Sequence, residues 1–239
     1  MVRPLFIILI ATAVAFACAT PRDARAASWH TLNDALGADL ARFAPAVVSR
    51  EQWKARPALP GMKPQRPAGI IVHHTAVAMN PKHPLETKLR NLQSFSQRAS
   101  KEQRRGSWGD VPYHYYIDMT GRIGEGRDVR FAGDSNTHYD TGGFIQVVLE
   151  GDFEKEQPAP AQLVALQKLL ASLSLAWNVP VQKITVHKNH ASTTCPGRNL
   201  MALLPRVMAA TTQERQRTMA EHCARGASAA FSRIYCAGR

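Results

Sequence analysis

No apolar run in the 239 residues reaches the roughly twenty needed to cross a bilayer as a helix. The most apolar stretch, residues 5–17, falls short of it, which argues against a permanent membrane anchor. Glycine and proline, 15 of each, are too few for a fibrous or low-complexity chain, and no segment repeats. A chain that is 45% hydrophobic and only 20% charged is not mainly disordered. Acidic side chains are the scarce class: 18 Asp and Glu against 30 Lys and Arg leave a formal net charge of +12. Such a surplus suits an anionic partner, whether nucleic acid, a phospholipid surface or an acidic polymer. The chain has no recognisable basic recognition helix and no stacking-aromatic motif, only scattered basic positions in 101–105 and 215–217, so nucleic acid is not the expected partner.

Residues 1–26 read as a secretory signal. Arg3 supplies the positive start, residues 5–17 the apolar core, and Ala24, Arg25 and Ala26 a small-x-small cleavage site. Lipidation at Cys18 is the weaker alternative, because the residues before it lack the Leu usual three positions ahead of a lipidated Cys. The expected product is an exported protein, periplasmic or secreted, with no stable membrane anchor, and it remains basic after cleavage.

Of the four cysteines, Cys18 leaves with the signal, and Cys223 with Cys236 suits a local disulfide in an oxidising compartment. Cys195 is left over, and a thiol without a partner in such a compartment points to a metal. Residues 27–47 form an N-terminal segment in which Leu32, Leu36, Leu40 and Phe43 could line a short helix. Four prolines in 57–67 impose an extended or looped stretch. Strands are predicted at 69–75, 113–118, 122–126, 144–149 and 183–187, with a hairpin turn at Met119, Thr120 and Gly121. Leu85, Leu89, Leu92, Phe95 and Ala99 predict a helix over 85–103. Leu163, Leu166, Leu170, Leu173 and Trp177 predict a second helix after Pro160, and a third is expected over 199–210. The interleaving implies an α/β fold with a central mixed β-sheet flanked by helices.

His73 ends one predicted strand, while His187 and Cys195 lie eight residues apart across a loop after another. Two imidazoles and a thiolate suit zinc, and three protein ligands with an open fourth position are the arrangement of a catalytic site. Nine histidines make chance pairs common, so the wider text matters. It reads VSREQWKAR at 48–56, IIVHHTA at 70–76, VPYHYYIDMTGRIGEGRD at 111–128, LEGDF at 149–153 and VHKNHASTTCPG at 186–197. This succession, spanning 48–204, resembles the zinc-dependent N-acetylmuramoyl-L-alanine amidases that share a fold with the peptidoglycan recognition proteins and phage lysozyme-type amidases.

The resemblance implies a zinc ion held by His73, His187 and Cys195, with His74 on the opposite face of its strand. It matches Tyr113 to a family tyrosine facing the metal-bound water, and Thr193 to a position that is Thr in the catalytic recognition proteins and Lys in some phage and cytoplasmic relatives. Val148 stands where the recycling amidases carry a catalytic Glu, with Glu150 two residues further on, so no carboxylate base is assigned. His114, His138 and His190 are not expected to be ligands, and Asp134, Ser135 and Asn136 fill a stretch where many relatives have a substrate-side His. The domain is expected over 48–210, and the tail over 211–239, which the resemblance does not cover, could be a helix ending in the Cys223 to Cys236 loop and packed beside the domain. The implied partner is peptidoglycan or its muropeptides, and the implied reaction is hydrolysis of the amide between N-acetylmuramic acid and L-alanine. A non-catalytic peptidoglycan-binding module of the same fold is the alternative, and it is disfavoured by the retained Cys195.

Overall fold

The computed structural model of the protein describes residues 36, 39, 42–99, 101 and 106–237. The signal reading of 1–26, Cys18, Leu32, Leu40 and positions 102–105 of the basic run lie outside them.

Six strands form one mixed sheet: β1 (Val47–Val48), β2 (Gly69–His74), β3 (Tyr115–Ile117), β4 (Ile123–Glu125), β5 (Phe144–Leu149) and β6 (Ile184–Val186). Their order is β1-β4-β3-β5-β2-β6, and β3 with β4 is the antiparallel pair, closed by the turn through Thr120 and Gly121. The central strands β2 and β5 are parallel to each other, and β6 and β3 extend the parallel set on either side. Both central strands are near-continuous apolar runs, as expected where each face of a parallel sheet is covered.

Alternation along these strands sorts the side chains into two layers. Ile70, Val72, Ile145, Val147, Leu149, Tyr115 and Ile117 pack with Leu166, Leu169, Leu170 and Leu173 of helix α2 (Pro160–Ala176). On the other face, Val148 and Tyr116 pack with Trp53 and with Leu85 and Leu89 of helix α1 (Leu85–Ser96). Gly124 lets α1 close on the sheet, because a Cβ there would stand 2.4 Å from Leu89 Cδ1. Gln146 and His73 belong to this second face through their register with Ile71 and Val148. Tyr113 and the loops around Thr137 and Cys195 adjoin them there.

Helix α1 is shorter than its apolar repeat predicts. It ends at Ser96, whose carbonyl takes the backbone N–H of Trp108, and Gln97 Nε2 donates to the carbonyls of Pro57 and Gly109. Its buried line is Leu85, Leu89, Gln93 and Ser96, which leaves Phe95 exposed. Gln93 replaces an apolar residue there because its amide bridges Arg56 and Asp110.

The third helix and the helix expected in the tail are a single element: α3 runs over Arg198–Ala224 without the break at 210. Its buried face passes from Leu200 and Val207 to Thr211, Thr218 and His222, so the helical period continues in residues that a hydrophobic pattern does not register. Helix α3 and the segment after it cover the outer side of α2, where Arg215 Nε donates to Ser174 Oγ and the Tyr235 hydroxyl donates to the Leu175 carbonyl. Cys223 and Cys236 are joined by a disulfide. Asp39 ties the chain ahead of β1 to this region, accepting from His222 Nε2 at 2.6 Å and from both the backbone N–H and the hydroxyl of Ser228.

Candidate metal centre

Two parallel strands, β2 and β6, deliver the histidines of the site at their C-terminal ends, the edge of an α/β sheet where ligands commonly bind. Val72 of β2 pairs with Val186 of β6, so the next residues, His73 and His187, emerge side by side, their ring centroids 4.7 Å apart. The loop after His187 folds back on itself: Lys188 donates its backbone N–H to the Cys195 carbonyl at 3.0 Å, and Gly197 donates to Thr194. An eight-residue separation in sequence thereby becomes a contact in space. Ligand atoms of His73, His187 and Cys195 all lie within 4.8 Å of one another, and all three residues are buried.

Each imidazole has one nitrogen engaged away from the thiol. His73 Nε2 donates to Gln146 Oε1 at 2.5 Å, leaving Nδ1 facing Cys195 Sγ at 3.6 Å. His187 Nε2 meets the Thr137 hydroxyl at 2.6 Å, which leaves its Nδ1 free of that contact. Metal-nitrogen and metal-sulfur bonds of about 2.0 and 2.3 Å in a tetrahedron put neighbouring donors roughly 3.5 Å apart, so the His73 to Cys195 separation fits zinc. The outer hydrogen bonds are of the kind that orient a metal-ligating histidine.

The electrostatics also suit a cation. Burial, followed by the neighbouring His187, pushes His73 down to about 3, and burial with His190 and His74 pushes His187 down to about 4. Both rings are therefore neutral at pH 7, with lone pairs available. Burial pushes the Cys195 thiol up to about 12, opposed by the His74 backbone N–H that points at its sulfur. A buried thiol of this kind ionises when a metal takes the sulfur.

The other singled-out residues fall into two groups. Tyr113 stands beside the cluster, its ring 5.3 Å from that of His73, and burial raises its hydroxyl pKa further above the ordinary tyrosine value. The Thr193 hydroxyl accepts the Cys195 backbone N–H at 3.2 Å. His74 turns to the opposite face, where its Nδ1 accepts the Phe153 backbone N–H. His114 is framework: Nδ1 accepts the Gln146 backbone N–H and Nε2 donates to the Phe131 carbonyl. His190 bonds Thr185 and packs on Phe144, while His138 is exposed. Glu150 is an anchor, its carboxylate taken by Lys88 at 2.7 Å and by the backbone N–H groups of Asn80 and Met119. Asp134 is held by the buried guanidinium of Arg127.

Sequence reasoning missed Gln146, Thr137 and Tyr139. Gln146 left a trace as the lone polar residue in FIQVVL, at a position a buried strand would give to an apolar side chain. Thr137 and Tyr139 lie in a loop whose pattern carries no comparable mark.

A family model described as N-acetylmuramoyl-L-alanine amidase matches residues 63–198. Peptidoglycan-recognition protein SD of Drosophila simulans is 30% identical over 166 residues, which cover 66% of this chain and 83% of that protein. An N-acetylmuramoyl-L-alanine amidase of Mus musculus is 29% identical over 67% of this chain, which spans 30% of that longer protein. Among solved structures, a variant of Drosophila peptidoglycan recognition protein LB in complex with tracheal cytotoxin superposes with a TM-score of 0.56 at 25% identity, covering 68% of this chain and 94% of that one. The matched segment contains the whole His73, His187 and Cys195 cluster and the strands that carry it, and the chain belongs to the N-acetylmuramoyl-L-alanine amidase family.

Proposed function

We propose that this chain is an exported, zinc-dependent N-acetylmuramoyl-L-alanine amidase that hydrolyses the amide between N-acetylmuramic acid and L-alanine in peptidoglycan or its muropeptides. The observation that carries the reading is the buried convergence of His73, His187 and Cys195 to within 4.8 Å, each histidine already braced on its other nitrogen. In this reading residues 1–26 are the export signal, 27–47 precede the catalytic unit of 48–210, and 211–239 follow it. The Cys223 to Cys236 disulfide supports an oxidising compartment.

His73, His187 and Cys195 would hold zinc, which when bound supplies a Lewis acid for the scissile carbonyl and lowers the pKa of a coordinated water toward about 7. The protein's share of the chemistry is positional. Tyr113 keeps its proton at all physiological pH values because burial raises its pKa, and so it donates a hydrogen bond to the oxygen that gains charge as the carbonyl becomes tetrahedral. Thr193 uses its oxygen to accept from Cys195 N–H, which leaves its hydroxyl proton for a second donation. Glu150 takes no proton in this scheme, since its oxygens are committed to Lys88, Asn80 and Met119.

The second reading, a peptidoglycan-binding module without catalysis, is favoured by the similarity to recognition proteins. Mass spectrometry of purified muropeptides incubated with the protein separates the two. Free stem peptide beginning at L-alanine, absent with Cys195→Ala, supports the amidase. Intact fragments that bind the folded protein support the module.

A further inference from the structure

We propose that Gln146 is a positioning residue that fixes the tautomer of His73 and so sets the strength of the metal site; this rests on the zinc reading above. Gln146 is 1% exposed in the middle of β5, with Ile71 as its register partner on β2. Its amide is used unevenly. Oε1 accepts from His73 Nε2 at 2.5 Å and from the Tyr139 hydroxyl at 3.4 Å, while Nε2 has no hydrogen-bond partner among the described residues. Leaving a buried amide donor unpaired is unfavourable. A glutamine that served packing alone would be better replaced by leucine, so the side chain is held for its oxygen.

The oxygen matters because it can only accept. Facing His73 Nε2, it requires a proton on that nitrogen, and a neutral ring then carries its lone pair on Nδ1, the atom 3.6 Å from Cys195 Sγ. The reverse orientation of the amide would put the proton on Nδ1 and block coordination there. Thr137 at His187 has no such selectivity, since a hydroxyl both donates and accepts. The fold holds Gln146 in place from both sides. His114 donates its backbone N–H to the Gln146 carbonyl and receives the Gln146 N–H on Nδ1. Gly133 leaves room for the side chain, as a Cβ there would stand 2.8 Å from Gln146 Cγ.

The test is metal binding by the full chain, read without turnover. Apo-protein is titrated with Co²⁺, following its thiolate charge-transfer and d–d bands, and zinc affinity is taken from competition with a chromophoric chelator. Gln146→Leu should weaken zinc binding about 10- to 100-fold and alter the Co²⁺ spectrum, the usual range for loss of a ligand's hydrogen-bonding partner. Gln146→Glu keeps an acceptor and should bind zinc at least as tightly as the native protein. Native-like affinity and spectrum in folded Gln146→Leu would overturn the inference while leaving the metal site standing. A tenfold loss in Gln146→Glu would overturn it too, and that comparison holds even where Gln146→Leu does not fold. Absence of any thiolate band in the native protein would overturn the zinc reading, and this inference with it.

Discussion

The Thr137 hydroxyl lies 2.6 Å from Nε2 of His187. It braces one metal-ligand candidate from a loop that carries no other sequence signature. Thr137→Val keeps the shape and removes the hydrogen bond, and should weaken zinc binding about tenfold or more. Thr137→Ser should retain native affinity. Chelator competition on the two variants checks this, and equal affinities would contradict it.

Tyr113 shares the His73 environment and keeps its proton. Removing a hydrogen-bond donor to a developing oxyanion costs about a hundredfold or more in rate. Tyr113→Phe should therefore lower kcat for muropeptide cleavage by at least that factor while zinc content stays at the native level. A kcat within threefold of native would remove Tyr113 from the chemistry.

The Lys88 to Glu150 pair is 2.7 Å long, with side chains 9% and 4% exposed. Breaking such a pair leaves a buried charge uncompensated, so Lys88→Met should lose about 3 to 5 kcal/mol in denaturant unfolding. Because Glu150 anchors Asn80 and Met119 and does no proton transfer, Glu150→Gln should lower stability while kcat per folded molecule changes less than threefold. A loss of several orders of magnitude in kcat would make Glu150 the missing base.

Asp39 links the segment before β1 to the end of α3. Burial alone would raise its pKa, but hydrogen bonds from Ser228 and His222 outweigh this and hold it below the ordinary carboxylate value. With the folded pKa depressed, the unfolded chain binds the proton more readily, so this stabilisation is present above pH 4 or so and is lost as pH falls through the folded value. Thermal melts of native protein and Asp39→Asn should differ most at pH 5 and above, and the gap should close toward pH 2. A gap independent of pH would contradict the assignment.

Much of this architecture was legible in the residues. Strand β5 matches its predicted bounds, and α2 follows its leucine repeat, because buried parallel strands and a sheet-facing helix leave strong apolar patterns. The join between the third helix and the helix of the tail is hidden because Thr211, Thr218 and His222 continue the buried face of α3, and the end of α1 is hidden because Gln93 and Ser96, with Phe95 turned outward, carry its last turn. His73, His187 and Cys195 stood out through residue type and strand-end position, and the structure brings them together. Gln146 and Thr137 escaped because their importance lies in contacts across 73 and 50 residues of sequence, which no local pattern encodes.

The proposed hydrolase activity depends on a metal held by His73, His187 and Cys195. Its most direct test removes metal with a chelator, returns zinc in measured steps, and follows stem-peptide release from muropeptides by mass spectrometry. Apo-protein should be inactive, with activity restored in proportion up to one zinc per chain and no restoration in Cys195→Ala. Full amide cleavage by protein shown to be free of metal would contradict it.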